Sequence, residues 1–187
     1  MTRASRGARS AESEFKAAIR SIPNFPKKGI MFRDITTLWK DGRLLRRCTD
    51  VLYRRYKSVK IDAVLGVEAR GFVVGAPLAV RLGVGFIPLR KPGKLPGAKI
   101  SESYDLEYGT ATLEIHVDAV KKGERILIVD DLIATGGTAL AAAKLVEVLK
   151  GKVVGFAFVV ELSALKGREA LKGYDVFSIV RYATEED

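Results

Sequence analysis

The chain has 187 residues, of which 48% are hydrophobic and 29% charged, and its formal net charge is +10. This length suits one domain with a well-buried core and is short for two. No apolar run approaches the ~20 residues that a membrane-spanning helix needs, so we expect a soluble protein. The single cysteine, Cys48, excludes an intramolecular disulfide, and the lack of a secretory pattern favours the cytoplasm.

The positive charge is concentrated in the first third of the chain. Residues 1–60 contain sixteen Lys and Arg against five Asp and Glu, whereas the remainder contains sixteen against seventeen. A basic segment of this kind indicates an acidic partner: a nucleic acid, a membrane surface or a phosphorylated small molecule. Residues 1–10 are basic, small and free of acids, and we predict a disordered tail there, followed by a single domain over residues 11–187.

The first third of the domain is predicted to contain two helices. Apolar residues at helical spacing predict one over residues 11–21, which Pro23 ends. Residues 23–36 contain two prolines and a glycine and are predicted to be irregular. The apolar stripe of residues 42–57 predicts a basic amphipathic helix whose arginines face solvent.

Five continuous apolar runs then predict strands that are covered on both faces, as in a parallel sheet. They span residues 63–67, 86–89, 126–129, 153–160 and 176–180. Helical patterns separate them, over residues 73–82, 138–149 and 163–172. This alternation predicts an α/β fold with an open, mostly parallel twisted sheet flanked by helices. Residues 104–117 alternate apolar and polar and predict an antiparallel hairpin outside the main sheet.

The most informative stretch is ILIVDDLIATGGT, residues 126–138, in which a strand runs into two aspartates and then a loop of small residues. Ligands of open α/β sheets bind beyond the carboxyl ends of strands, where Asp130 and Asp131 are expected. Two adjacent carboxylates repel each other unless a metal ion or hydrogen-bond donors, such as sugar hydroxyls, balance their charge. The loop residues are Ala134, Thr135, Gly136, Gly137 and Thr138. Their backbone N–H groups and the dipole of the following helix favour a phosphate.

This motif strongly resembles the 5-phosphoribosyl-1-pyrophosphate (PRPP) binding motif of type I phosphoribosyltransferases. It matches neither the dinucleotide-binding GxGxxG pattern nor a P-loop. The resemblance implies that Asp130 and Asp131 hold the ribose 2- and 3-hydroxyls and that residues 134–138 wrap the 5-phosphate. It also implies the type I phosphoribosyltransferase fold, with a small hood formed by the N-terminal segment and a mobile β-hairpin lid.

Six stretches together are similar to the family of adenine phosphoribosyltransferases over about residues 12–182. They are FPKKGIMFRDIT, GVEARGF, LRKPGKLPG, YDLEYGT, VDDLIATGGT and VELSALKGRE. The similarity implies a purine-salvage transferase that moves the 5-phosphoribosyl group from PRPP to adenine, giving AMP and pyrophosphate. It further implies Mg²⁺ bound with PRPP, chiefly through substrate oxygens, and a homodimer, with no membrane and no specific nucleic acid as partner.

The resemblance also implies a base pocket in the N-terminal segment. Met31 and Arg33 would contact adenine, largely through backbone groups. Phe32 would stack on the ring, and Leu162 would border the pocket. Read from the residues alone, Phe32 is equally well an ordinary core residue.

The remaining implied roles concern the leaving pyrophosphate and the lid. The residues that would bind pyrophosphate are Glu68, Ala69, Arg70, Arg90, Lys91 and Lys94, with a cis peptide often found between the first two. Arg90 would also take part in catalysis. Residues 95–108 would form the lid, with Tyr108 at its return, and Glu107 would act as acid and base on the purine.

Two alternatives remain open at this point. The first is another type I phosphoribosyltransferase, which would use an oxo-purine or orotate. The amine of adenine needs a hydrogen-bond acceptor in the base pocket, such as the Arg33 carbonyl, whereas an oxo-purine needs a hydrogen-bond donor at the same place. A PRPP-sensing regulatory protein would need an added DNA-binding domain, and the segment before residue 11 is too short for a helix-turn-helix.

Overall fold

The computed structural model describes residues 12–106 and 109–184. Its strands are β1 (Arg20–Pro23), β2 (Met31–Asp34), β3 (Ala63–Val67), β4 (Gly85–Leu89), β5 (Lys99–Leu106), β6 (Gly109–His116), β7 (Arg125–Ile133), β8 (Lys152–Leu162) and β9 (Val176–Tyr182). Its helices are α1 (residues 12–18), α2 (Thr36–Lys40), α3 (Gly42–Tyr56), α4 (Arg70–Leu82), α5 (Gly137–Val148) and α6 (Gly167–Ala170), with a 3₁₀ turn over Ser163–Leu165.

The central sheet has five parallel strands in the order β4-β3-β7-β8-β9. All five predicted strands are confirmed, and β7 continues to Ile133, four residues beyond its predicted end. The helices predicted after β3 and β7 are confirmed as α4 and α5. The helix predicted over residues 163–172 is instead a 3₁₀ turn followed by the four-residue α6, with Lys166 in a left-handed conformation between them.

The sheet is covered on both faces, as its continuous apolar strands predicted. Ile126 and Ile128 of β7 pack into a core with α5, whereas Leu127 and Val129 pack into a second core with α3 and α4. Because side chains of a strand alternate between faces, both faces must be apolar when both are buried. The predicted α/β layering is therefore confirmed.

The N-terminal segment differs from its prediction. β2 lies within the stretch predicted to be irregular, and it pairs antiparallel with β1 in the small ribbon that forms the hood. Arg20 of β1 donates through Nε to Asp34 at 3.1 Å, and the Thr37 hydroxyl donates to the Ala18 carbonyl at 2.6 Å. The prediction of irregular chain was wrong here because contacts between distant residues, rather than local periodicity, hold this ribbon.

The predicted hairpin is confirmed as β5 and β6, which pair antiparallel outside the central sheet. It lies over α5, where Lys144 Nζ is 2.9 Å from Glu102 Oε1. The hairpin occupies most of the segment predicted as a lid, and its mobility stays a prediction. The predicted tail, residues 1–10, lies outside the described residues. Within the described part of the chain, no helix combines the length and apolarity that crossing a membrane requires.

Candidate active site

Several of the predicted site residues lie at the carboxyl edge of the central sheet. Asp130 and Asp131 lie near the carboxyl end of β7, Glu68 directly follows β3, and Arg90 directly follows β4. Leu162 is the last residue of β8. Since the strands are parallel, their carboxyl ends meet at one edge, which is where open α/β sheets bind ligands.

The acidic pair is held close to one guanidinium group. Asp131 is 4% exposed, and its Oδ2 lies 2.9 Å from Arg70 Nε. The Asp131 backbone N–H donates to Asp130 Oδ1 at 2.8 Å. Burial and the neighbouring Asp131 charge raise the pKa of Asp130, and burial raises the pKa of Asp131 against the opposing effect of Arg70. A cationic centre or hydroxyl donors at this point would stabilise the ionised pair.

Arg70 reaches the acidic pair because α4 begins against the end of β7. A Cβ on Gly71 would lie 2.8 Å from the Val129 carbonyl oxygen and 3.0 Å from Asp130 Oδ1, so only glycine permits this approach. The peptide bond between Glu68 and Ala69, just before the helix, is cis. The sequence motif placed Arg70 at a strand end, whereas its contact with Asp131 depends on the packing of Gly71.

The loop after β7 forms the other wall of the same cavity. The cavity measures about 190 Å³ and is lined by Arg70, Asp130, Asp131, Leu132, Ile133, Ala134, Thr135, Gly136, Gly137, Thr138, Ala139 and Phe158. Gly136 has φ +87° and caps the amino end of α5. Backbone N–H groups at a helix amino terminus bind anions, so the cavity combines a carboxylate pair with a phosphate cradle.

Phe158 was not predicted as a site residue. It belongs to β8, and the parallel register places it opposite Asp130. In the sequence it sits inside an apolar strand and resembles any core residue. Its place in the cavity follows from strand register, which the order of residues within one strand does not reveal.

The basic loop after β4 is anchored by a carboxylate. Arg90 donates to Glu68 from Nε and Nη2 at 3.3 and 3.2 Å, and the Lys91 backbone N–H donates to the same carboxylate at 2.9 Å. The Arg90 side-chain hydrogen bond, followed by that of the Lys91 backbone, lowers the pKa of Glu68. Arg90, Lys91 and Lys94 lie outside the residues that line the 190 Å³ cavity, and the side chains of both lysines are exposed.

A second cavity, of about 90 Å³, lies between the hood and the ends of β8 and β9. Its lining residues are Ile30, Met31, Arg33, Leu162, Ala164, Leu165, Tyr182 and Thr184. Three of the four residues predicted to contact adenine therefore line one cavity. The Arg33 guanidinium carbon lies 4.0 Å from the centroid of the Tyr182 ring, which was not among the predicted residues.

Phe32 is the predicted base-contacting residue that does not line this cavity. Its ring packs edge to face on Phe25, with centroids 5.1 Å apart. Phe32 lies between Met31 and Arg33 in β2, and alternate residues of a strand face opposite sides. Stacking of Phe32 on a base stays a prediction.

Glu107 and Tyr108 lie outside the described residues. The strands on either side of them pair up to Leu106 and Gly109. The roles predicted for Glu107 in catalysis and for Tyr108 at the lid therefore stay predictions.

The fold and the cavity together define a phosphoribosyl transferase domain. The sequence model of the family described as "Phosphoribosyl transferase domain" matches residues 35–185, well over half of the chain. The matched region includes the acidic pair and the loop that follows it.

The relatives narrow the assignment. An adenine phosphoribosyltransferase from Alkaliphilus oremlandii is 54% identical over 169 residues, covering 90% of this chain and 98% of the relative. The crystal structure of adenine phosphoribosyltransferase from Thermoanaerobacter pseudethanolicus matches with a TM-score of 0.88 at 54% identity, covering 91% of this chain and 99% of that one. The Saccharomyces cerevisiae enzyme, complexed with an imino-altritol bisphosphate and adenine, matches with a TM-score of 0.85 at 43% identity, covering 91% and 99%. The chain belongs to the adenine phosphoribosyltransferase family.

Proposed function

We propose that the protein transfers the 5-phosphoribosyl group from PRPP to adenine, releasing AMP and pyrophosphate. The observation that carries this proposal is the cavity in which a carboxylate pair faces a helix-terminal phosphate cradle. A ribose 5-phosphate offers hydroxyls to the first and a phosphate to the second. The relatives bear the name of this activity, and the yeast relative was crystallised with adenine.

The chemistry is a displacement at the anomeric carbon of PRPP. The bond to the pyrophosphate oxygen breaks and its electron pair leaves with that oxygen, while an adenine nitrogen forms the new bond. Positive charge develops on the ribose, and the carboxylates of Asp130 and Asp131 stabilise it because they are fixed in place before the reaction. Glu107 would take the proton that adenine loses.

The leaving group carries negative charge, which basic residues at the same edge of the sheet are suited to neutralise. They are Arg70, Arg90, Lys91 and Lys94. The hydrogen bonds from Arg90 and the Lys91 backbone to Glu68 support this role, because they hold the basic loop at the end of β4. A lid formed by residues 95–108 would exclude water from the reacting centre.

Mg²⁺ would enter with PRPP and be held mainly by substrate oxygens. The donor set fits, because Mg²⁺ prefers oxygen ligands and is commonly held by one or two carboxylates together with substrate phosphates. Asp130 and Asp131 supply such carboxylates beside the cradle. When bound, the ion would supply positive charge that offsets the charge of pyrophosphate.

A nucleobase screen tests the proposed function. With PRPP and Mg²⁺, we expect nucleotide from adenine and none from hypoxanthine, guanine, xanthine or orotate, and no product when EDTA removes the metal. Nucleotide from an oxo-base instead would retain the PRPP site and defeat the adenine assignment. PRPP binding without product from any base would favour the regulatory alternative.

We also propose that the protein is a cytoplasmic homodimer. Two valines on α4 support an interface, because Val80 is 81% exposed and Val73 is 36% exposed in the single chain. The single cysteine supports a reducing compartment. Light scattering tests the assembly: twice the chain mass of 20.4 kDa is expected, and the mass of one chain would contradict the dimer.

A further inference from the structure

We propose that Glu161 and Arg168 form a positioning pair. The pair would hold the 90 Å³ cavity, here called the base cavity, in a fixed position relative to residues 134–138, here called the phosphate loop. Neither residue lines either cavity, so the pair would act through the segment between them. This inference rests on the proposed function, because it assigns the two cavities to the two substrates of one reaction.

The segment from Glu161 to Ala170 connects the two cavities physically. Near its start, Leu162, Ala164 and Leu165 line the 90 Å³ cavity. Near its end, α6 packs beneath the phosphate loop. Ten residues of chain thus contribute to one cavity and support the other.

The contact of α6 with the phosphate loop is made backbone to backbone. A Cβ on Gly167 would overlap the Ala134 carbonyl oxygen, and a Cβ on Gly136 would lie 2.6 Å from the Gly167 carbonyl oxygen and 3.0 Å from the Ala170 Cβ. The Ile133 Cγ1 atom would lie 2.7 Å from the same Cβ on Gly167, but the Ala134 and Gly167 carbonyl oxygens belong to the backbone and cannot rotate away. A displacement of α6 would therefore be transmitted to residues 134–138.

The Glu161–Arg168 pair joins α6 to the sheet by side-chain hydrogen bonds. Arg168 Nε donates to both carboxylate oxygens of Glu161 at 2.8 and 2.9 Å, and Arg168 Nη1 donates to the Val176 carbonyl at 2.8 Å. The Ser178 hydroxyl donates to Glu161 Oε2 at 2.7 Å, and Arg181 Nε lies 3.5 Å from the same oxygen. Arg168 therefore ties α6 to the end of β8 and to β9 at the same time.

Glu161 is 5% exposed, so its charge depends on these partners. Burial raises its pKa, but the hydrogen bonds from Arg168 and Ser178 outweigh burial and leave the pKa below the usual value for glutamate. The fork geometry of the guanidinium group allows it to bond the carboxylate and the Val176 carbonyl together, which a lysine ammonium at the end of a flexible chain does less well.

Substitution of Arg168 separates positioning from folding. We expect Arg168→Ala to raise the KM for adenine and the KM for PRPP together, each about tenfold, because small displacements of binding groups carry penalties of this order or more. The kcat of the folded fraction should fall by less than about threefold. A purely structural role would lower the folded fraction and leave both KM values unchanged.

The chain offers a matched control in the pair of Arg125 and Asp62, at the opposite edge of the sheet. Arg125 Nε is 2.8 Å from Asp62 Oδ2, and Nη2 bonds the other carboxylate oxygen. Arg125→Ala removes a forked arginine–carboxylate pair of the same kind, and we expect it to leave both KM values unchanged. Arg168→Lys is the second variant should Arg168→Ala fail to fold, with both KM values raised by a smaller factor.

Three results would overturn the positioning proposal: a folded Arg168 variant with wild-type KM values, a change in one KM alone, or equal changes in the Arg125 control. Failure of the wild-type protein to make AMP would instead defeat the proposed function. In that case calorimetry with ribose 5-phosphate tests the phosphate-loop half of the inference. Weaker binding to Arg168→Lys than to wild type would support it, and equal binding, or none to either protein, would overturn it.

Discussion

Asp131→Asn is expected to lower kcat/KM for AMP formation by about 1,000-fold. The asparagine keeps the shape of the side chain and loses the charge that we propose stabilises the positive charge developing on the ribose. Removal of one preorganised electrostatic group from a transition state costs about 100- to 1,000-fold. The substitution also removes the carboxylate partner of Arg70, which lies 2.9 Å from Asp131. Steady-state rates at saturating adenine and varied PRPP measure the effect.

Asp118→Asn is the control for that change, because Asp118 is exposed in the turn after β6. It removes the same charge from the chain outside the site and should leave kcat/KM within about twofold, since substitutions at exposed positions have small effects. An Asp131→Asn protein that stays within tenfold of wild type would show that the acidic pair does not stabilise the reacting centre.

Gly136→Ala is expected to raise the KM for PRPP about 100-fold. Gly136 has φ +87°, which L-residues rarely adopt, and an added Cβ would lie 2.6 Å from the Gly167 carbonyl oxygen. That oxygen belongs to the backbone and cannot rotate away, so the phosphate loop must move. A displacement of about 1 Å in a positioning element costs roughly 100-fold in activity. Initial rates at varied PRPP measure the KM, and circular dichroism reports whether the variant is folded.

Gly83→Ala is the control that separates the effect of the steric clash at Gly136 from the effect of its left-handed backbone conformation. Gly83 has φ +72°, and nothing lies within 4 Å of an added Cβ. Both substitutions carry the cost of a left-handed residue, of order 1–2 kcal/mol, but only the change at Gly136 also displaces the loop. Equal KM values in the two variants would mean that the conformation of the loop is not what binds PRPP.

Gly167 lies against Gly136 and directly precedes Arg168 in the chain. We therefore expect substitutions in the phosphate loop and in the positioning pair to affect each other. Residues that share a contact show non-additive effects, whereas distant residues add. The Gly136 and Arg168 substitutions should therefore raise the KM for PRPP by less in combination than the product of their separate factors. The two effects act through one contact, that of the phosphate loop with α6.

The central sheet and the PRPP motif were predictable from the sequence because each depends on residues that are neighbours in the chain. Continuous apolar runs identified all five strands, since strands buried on both faces admit no polar alternation. The stretch from Ile126 to Thr138 placed the acidic pair and the small-residue loop at a strand end, where α/β folds bind ligands. The hairpin was predicted for the same local reason, from alternation over residues 104–117.

Only the tertiary structure determined the contacts between residues that are far apart in the sequence. The pairing of β1 with β2, the approach of Arg70 to Asp131, and the place of Phe158 beside Asp130 all depend on packing and strand register. Glu161 and Arg168 are only seven residues apart in the sequence, yet the role proposed for them rests on the contacts of α6 with Ala134 and Gly136. Local periodicity indicates which face of a helix or strand is buried, but it carries no information about which distant element covers that face. The site of this protein is formed by contacts between such distant elements.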